Sequence, residues 1–332
     1  VVLGLRNASA DPKHIFSDDI RLDAKRINPY LADGPDIWIG RRSSPLSALP
    51  KLGFGSMPND GGNLILSDAE KDDLMAEAPQ LKSYVRGLSG SDEFIKGKTR
   101  WCLVIPDEGL AEATKVAVIE RRLEGVRAHR ENSTEKSTQA MASTPNRFYF
   151  WAHEEAESLI VPATSSERRE YIPIGYLGPE TVISNSANAA YGVEPWVFSV
   201  ITSRSHMVWM KAVGGKMKTD YRYSGTIIYN NFPVPPLTEA VKEQLVVAAL
   251  RVLDVREYHC EKTLAELYDP DLMPADLRAA HAMVDELVDS IYSRRGYETD
   301  EQRLSDLFAM YERMTAEEAA KAPAKKSRST KK

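Results

Sequence analysis

Apolar positions follow two different rhythms along the 332 residues, with the change at Pro233-Val234-Pro235-Pro236. Beyond it, Val241, Leu245, Ala248 and Val252 recur at helical spacing, as do Leu277, Ala280, Val284, Leu287 and Ile291. A last helix is predicted from Thr299, with Gln302 completing a capping box and Leu304, Leu307, Phe308 and Tyr311 as its apolar stripe. Before the prolines the apolar runs are short. Arg100-Trp101-Cys102-Leu103-Val104-Ile105 reads as a strand, and Leu159-Ile160-Val161, Tyr171-Ile172-Pro173-Ile174 and Thr181-Val182-Ile183 suggest a sheet, with Thr226-Ile227-Ile228-Tyr229 as a further strand. Ser67-Asp68-Ala69-Glu70 opens a short helix, Leu110 to about Arg130 predicts a charged one, and Pro195 to about Val213 a single helix stopped by Gly214-Gly215. The Pro, Gly and Ser density from Arg41 to Asn63 favours an ordered loop. The fold class is α+β: a mixed α/β domain followed by a small all-α C-terminal domain.

Composition changes this picture little. A length of 332 residues suits two or three packed units, and a hydrophobic content of 42% is ordinary for a globular protein. The opening Val1-Val2-Leu3-Gly4-Leu5 lacks a methionine and the basic start of a signal peptide, and reads as a strand of a fragment. No stretch approaches a membrane span, and Cys102 and Cys260 stand far apart without metal-ligand spacing, so a reducing, cytoplasmic setting fits best. Net charge is −5; six cations from Lys321 to Lys332 form a basic tail over 316–332, expected to be disordered, and leave the body at about −11. Bulk charge says little about one face of a large molecule.

Most motifs fail on inspection. Gly97-Lys98-Thr99 resembles the end of a phosphate-binding loop, but the first glycine of that pattern falls on Asp92, which repels phosphate. Asn28-Pro29-Tyr30 has one proline fewer than the Asn-Pro-Pro-Tyr signature of amino-methyltransferases and reads as a turn. The six histidines show no metal-binding pair, and His206 and His281 sit in apolar helical patterns that make them packed side chains. No nucleophile elbow appears. The sequence therefore names no catalytic, cofactor-binding or metal-binding residue. Two polar stretches stand out on connections between elements: Ser165-Ser166-Glu167-Arg168-Arg169 and Lys211 to Arg222.

A family resemblance rests on longer stretches in order: Arg41-Arg42-Ser43-Ser44-Pro45-Leu46-Ser47; Met57-Pro58-Asn59-Asp60-Gly61-Gly62-Asn63-Leu64; Ser165 to Gly175; and Asp220-Tyr221-Arg222-Tyr223-Ser224 through Tyr229-Asn230-Asn231-Phe232-Pro233. From about Ile27 to Met314 the chain resembles the MmeI-type (Type IIL/IIG) restriction–modification enzymes. The resemblance implies that 1–40 is the trailing edge of a methyltransferase domain, 41–236 a target-recognition domain and 237–315 a helical domain. It further implies an adenine-specific methyltransferase whose catalytic and S-adenosylmethionine motifs, and Mg for cleavage, belong to the full-length parent. Double-stranded DNA and the methyltransferase domain of the same polypeptide are the implied partners.

The resemblance also implies roles for particular residues. A pair of base-reading positions falls on Lys218 and Asp220, and another on Asn185 and Ser186, acting with Arg222. Lysine donates to guanine O6 and N7 and aspartate accepts from cytosine N4, so the first pair matches one G·C pair if the segment is extended and both side chains share a face. Arg168, Arg169, Arg204, Lys211 and Lys216 are candidates for phosphate contacts. The competing reading is a protein-interaction or scaffold fragment; an RNA-reading role ranks last, because no aromatic cluster resembles a stacking platform.

Overall fold

The computed structural model describes residues 11–17 and 20–321. The strand expected at Val1–Leu5 and the basic tail beyond Lys321 lie outside the described residues.

An antiparallel hairpin, Lys13–Ser17 with Ile20–Ala24, precedes an irregular segment. Asn28 organises that segment as a turn, its side-chain oxygen accepting from the N–H groups of Tyr30 (2.9 Å) and Ala32 (3.2 Å), while Tyr30 stacks on Phe308.

Three sheets follow. The first, in the order Thr181–Ile183, Val85–Ser89, Trp101–Leu103, Ile65–Leu66, is antiparallel except for the parallel pairing of Thr181–Ile183 with Val85–Ser89. Helix Asp68–Glu77, opened by the expected Ser67/Glu70 capping box, and helix Ala117–Glu131 contribute to its core with Leu66, Leu88, Leu103, Ile119 and Leu123. The expected 110–130 helix is broken: a short turn, Leu110–Ala113, ends before Ala117–Glu131 begins. Buried Arg130 orders the 57–63 loop, its guanidinium donating to the carbonyls of Pro58, Asn59, Met141, Thr144 and Arg147 at 2.7–3.0 Å.

The second sheet is wholly antiparallel, in the order Gly53–Phe54, Ala187–Tyr191, Ser158–Pro162, Gly175–Leu177. Of the three runs expected in one sheet, the first and third lie in different sheets, and Tyr171–Ile174 is buried coil leading into the strand at Gly175. Pro173 has no N–H to give a ladder. The third sheet is small, in the order Gly215–Met217, Asp220–Arg222, Thr164–Ser165.

Two expectations fail for tertiary reasons. The helix predicted over 195–213 is two, Pro195–Thr202 and Arg204–Val213, because Ser203 is extended (ψ 159°) and its hydroxyl caps the second helix through His206 N–H. The strand predicted at Thr226–Tyr229 is a single π-helical turn, Gly225–Tyr229. Its carbonyls are claimed by side chains: Asn231 Nδ2 donates to Thr226 and Ile227, and Trp209 Nε1 to Ile228. A strand ladder there would compete with these bonds.

The C-terminal helices Glu239–Tyr258, Ala275–Tyr292 and Asp300–Lys321 match the predicted periodicities, but the last runs six residues past Thr315, so the tail expected to be disordered over 316–332 is helical over 316–321. Gln302 N–H bonds the Thr299 hydroxyl, while the Gln302 side chain returns to Glu298 N–H rather than to Thr299. These helices share one core with the second sheet: Leu159, Phe198, Trp209, Phe232, Leu245, Val252, Leu277, Val284 and Phe308 pack together. His206 and His281 are fully buried, as their apolar surroundings predicted. No helix among the described residues is long and apolar enough to cross a membrane.

Candidate nucleic-acid interface

The strand Thr181–Ile183 belongs to the first sheet and the next strand, Ala187–Tyr191, to the second, so the chain changes sheets through Ser184, Asn185 and Ser186. A β-turn makes the change: Ala187 N–H donates to Ser184 O (3.0 Å), with Asn185 and Ser186 at the centre. Its backbone is held from several sides, Ser184 N–H donating to Ser89 O (2.8 Å) and Asn185 N–H to Ser56 O (2.9 Å). The Ser186 hydroxyl accepts from Ser91 N–H (3.1 Å) and lies 3.0 Å from the Ser184 hydroxyl. Gly90 is required there, because a Cβ on it would fall 2.0 Å from Ser186 Oγ.

The second and third sheets and helix Ser91–Lys96 border a cavity of about 680 Å³ beside this turn. Asn185, Ser186 and Asn188 line it from the second sheet and the turn, Thr164 and Arg222 from the third, and Ser91, Asp92 and Glu93 from helix Ser91–Lys96. Asn185, Ser186 and Arg222 are thereby brought to one place. The side chains of Asn185 and Arg222 make no hydrogen bond or ion pair with the described residues, whereas the hydroxyl of Ser186 is turned to Ser91 and Ser184.

Lys218 and Asp220 belong to a different local structure. Met217 pairs with Asp220 in register, so Lys218 and Thr219 form a two-residue hairpin turn, and Lys218 takes a left-handed φ of 59°. The extended segment in which the two would share a face is therefore not present. Asp220 instead shares a strand face with Arg222, two residues on. Lys218, at the exposed tip, has no partner among the described residues.

The five candidate phosphate contacts divide. Arg168 pairs with Asp271, and Arg204 with Asp300 at 2.8 and 3.0 Å, so both guanidinium groups face acids from the C-terminal helical region. Arg169 is half-buried, 3.3 Å from the Ser165 hydroxyl, and burial pulls its guanidinium below the ordinary value while Asp220 opposes that. Lys216 lies 3.3 Å from Glu167 and over the Tyr221 ring. Lys211 is exposed and has no hydrogen bond or ion pair among the described residues.

Three cavity residues escape sequence reasoning. Arg41 is exposed and unpaired among the described residues, and its neighbours are pinned: Asn231 Nδ2 donates to Gly40 O (2.9 Å), Arg42 N–H to Thr226 O (2.9 Å) and Asn230 Nδ2 to Arg42 O (2.8 Å). Arg100 is held by buried Glu93 at 2.8 Å, and Ser91 binds the turn. The partners of Ser91 and of the residues beside Arg41 lie far away in sequence and leave no local signal, whereas Arg100 meets Glu93, seven residues earlier, only because the chain folds back after helix Ser91–Lys96. The rejected Gly97-Lys98-Thr99 is the end of helix Ser91–Lys96, with Gly97 left-handed at the cap and Lys98 3.5 Å from Asp92. Among the described residues no group of three or more His, Cys, Asp or Glu could hold a metal ion.

Residues 33–236 match the family described as MmeI, target recognition domain, and 237–318 match MmeI, C-terminal domain. The chain belongs to the MmeI family. A DNA methyltransferase A of Bacillus subtilis (strain 168) is 41% identical over 303 residues, which are 91% of this chain and 34% of that protein. The Type IIL restriction-modification enzyme MmeI, solved in complex with DNA, has a TM-score of 0.86 at 35% identity, covering 93% of this chain and 42% of its own. The chain thus spans less than half of either relative. The whole cavity falls inside the matched MmeI target recognition domain, and the ion pairs of Arg168 and Arg204 join that domain to the MmeI C-terminal domain.

Proposed function

We propose that this chain is the site-choosing part of an adenine-specific DNA methyltransferase of the restriction–modification kind. The observation that carries the reading is the cavity, where Asn185 and Arg222, unpartnered among the described residues, converge within the matched target recognition domain. A carboxamide pairs bidentately with adenine N6 and N7, and a guanidinium with guanine O6 and N7. Ser186 serves the same reading by holding Asn185 in place. Lys218 and Asp220 do not share a strand face, but the two-residue turn keeps them at the same end of the third sheet. From there Lys218 donates to guanine and Asp220 accepts from cytosine, and together they read one G·C pair. Arg169, Lys211 and Lys216 supply phosphate contacts, and Arg168 and Arg204 join them once released from their acids.

Methyl transfer in this reading belongs to a methyltransferase domain of the same polypeptide, which binds S-adenosylmethionine, with Mg serving cleavage. That domain forms the other wall of the DNA cleft. Half a cleft makes few phosphate contacts, so weak binding is expected of this chain alone.

The test is to introduce Lys218→Glu with Asp220→Arg into the intact enzyme and map its methylated sites. The expected result is inversion of one position from G·C to C·G. An unchanged motif in an active variant refutes the assignment.

A further inference from the structure

We infer that Ser91 is a positioning residue that sets the spacing between Asn185 and Arg222; this rests on their proposed role as base readers. Ser91 touches both halves of the cavity. Its N–H donates to Ser186 Oγ (3.1 Å) and its hydroxyl donates to Ser186 O, which ties down the turn that carries Asn185. The same hydroxyl accepts from Ala163 N–H (3.0 Å), and Ala163 O accepts from the N–H of Tyr223 (2.9 Å), the residue after Arg222. A continuous run of hydrogen bonds therefore leads from the Asn185 turn through Ser91 and Ala163 to the Arg222 strand.

The chemistry requires such a brace. Asn185 lies where the chain passes from one sheet to another, and Arg222 ends a three-residue strand of a third, so the backbone link between them is thin. Ala163 N–H reaches Ser186 O at 3.2 Å, Ala163 O accepts from Tyr223 N–H, and Ser91 reinforces that junction. Bidentate contacts to base edges tolerate only about 0.5 Å of misplacement. With alanine at position 91 the Ser186 carbonyl loses a donor and Ala163 N–H keeps only its longer contact with Ser186 O (3.2 Å), while the side chains of Asn185 and Arg222 remain intact.

The experiment places Ser91→Ala, Ser91→Thr and Asn185→Ala separately in the intact enzyme and maps methylated sites, with thermal melting alongside. Asn185→Ala identifies the base position that Asn185 reads. Ser91→Ala is expected to lower discrimination at that position about tenfold while leaving the G·C pair assigned to Lys218 and Asp220 intact, and Ser91→Thr, which keeps the hydroxyl, to restore it. Unchanged discrimination in Ser91→Ala, or an equal loss at every position, overturns the inference. If Asn185→Ala relaxes no position, the reading role of Asn185 fails, which is a separate result, and the brace falls with it. Should the alanine variant not accumulate, Ser91→Cys, with its weak thiol hydrogen bonds, carries the same expectation at about threefold.

Discussion

The turn Ser184–Ala187, which carries Asn185 and Ser186, and the hairpin Gly215–Arg222, which carries Lys218, Asp220 and Arg222, are built in opposite ways. The turn is enclosed: Gly55 N–H donates to Ala187 O, Ser56 N–H to Ile183 O, and Ser91 and Ser89 hold the other side. The hairpin is supported along one edge only, by the pairing of Tyr221 and Arg222 with Ser165 and Thr164, and its first strand has an open side. An enclosed reader gains fixed geometry, and its environment tolerates little change. Tyr221 packs against the main core, but the tip beyond it projects, and a projecting reader there can exchange its side chain with small effect on the fold.

Matched glycines test this contrast most severely. A Cβ on Gly55 would lie 2.2 Å from Ser184 O, a backbone atom of the turn, whereas a Cβ on Gly215 meets nothing within 4 Å. Gly55→Ala should destabilise by about 3 kcal/mol, and Gly215→Ala should stay within about 0.5 kcal/mol. Urea denaturation of the two variants measures both. Equal losses would show that the hairpin is as enclosed as the turn.

The same contrast separates what the sequence disclosed from what it hid. Capping at Ser67 and the periodicities beyond Pro236 are local, and the helices they predicted are present. The grouping of Asn185, Ser186 and Arg222 came from the resemblance: Arg222 closes a polar stretch that stands out, but nothing local links it to Asn185 and Ser186, whose own neighbourhood looks like solvated polar residues. Ser91 and Arg41 were invisible because their roles depend on Ser186 and on Asn230 and Asn231, about 95 and 190 residues away. The π-helical turn at Gly225–Tyr229 misled for the same reason: its β-branched residues favour a strand, and distant Trp209 together with Asn231 reverses that preference.

The hairpin also depends on its mount. It follows helix Arg204–Val213, whose first N–H donates to Asp285 Oδ1 (2.6 Å), while Tyr171 donates its hydroxyl to Asp285 Oδ2 (2.7 Å). Burial, assisted by neighbouring Asp289, pushes the Asp285 carboxyl up to about 6, although both hydrogen bonds oppose the rise. Between the ordinary aspartate value and about pH 6 the folded protein holds a proton that the unfolded chain releases, so this contribution to stability is lost as pH rises through that window and is constant above it. The stability of the wild type minus that of Asp285→Asn should fall by about 2 kcal/mol from pH 4 to pH 6.5. Urea midpoints across that range read the effect, and a flat or rising difference rejects it.

The smallest expected effect concerns the hairpin tip alone. Lys218 adopts φ 59°, a left-handed conformation that a lysine side chain disfavours and asparagine tolerates better. Because the tip is exposed and Lys218 has no partner among the described residues, Lys218→Asn removes no contact that holds the fold. It should therefore raise stability by about 0.5 kcal/mol, visible as a small increase in the urea midpoint at constant slope. The same substitution removes the ammonium proposed to meet guanine, so preference for G·C at that position should weaken in the intact enzyme even as the protein becomes more stable. A loss of stability larger than about 1 kcal/mol would mean that the tip is packed against a neighbour, and the description of the hairpin as a free projecting reader would fail.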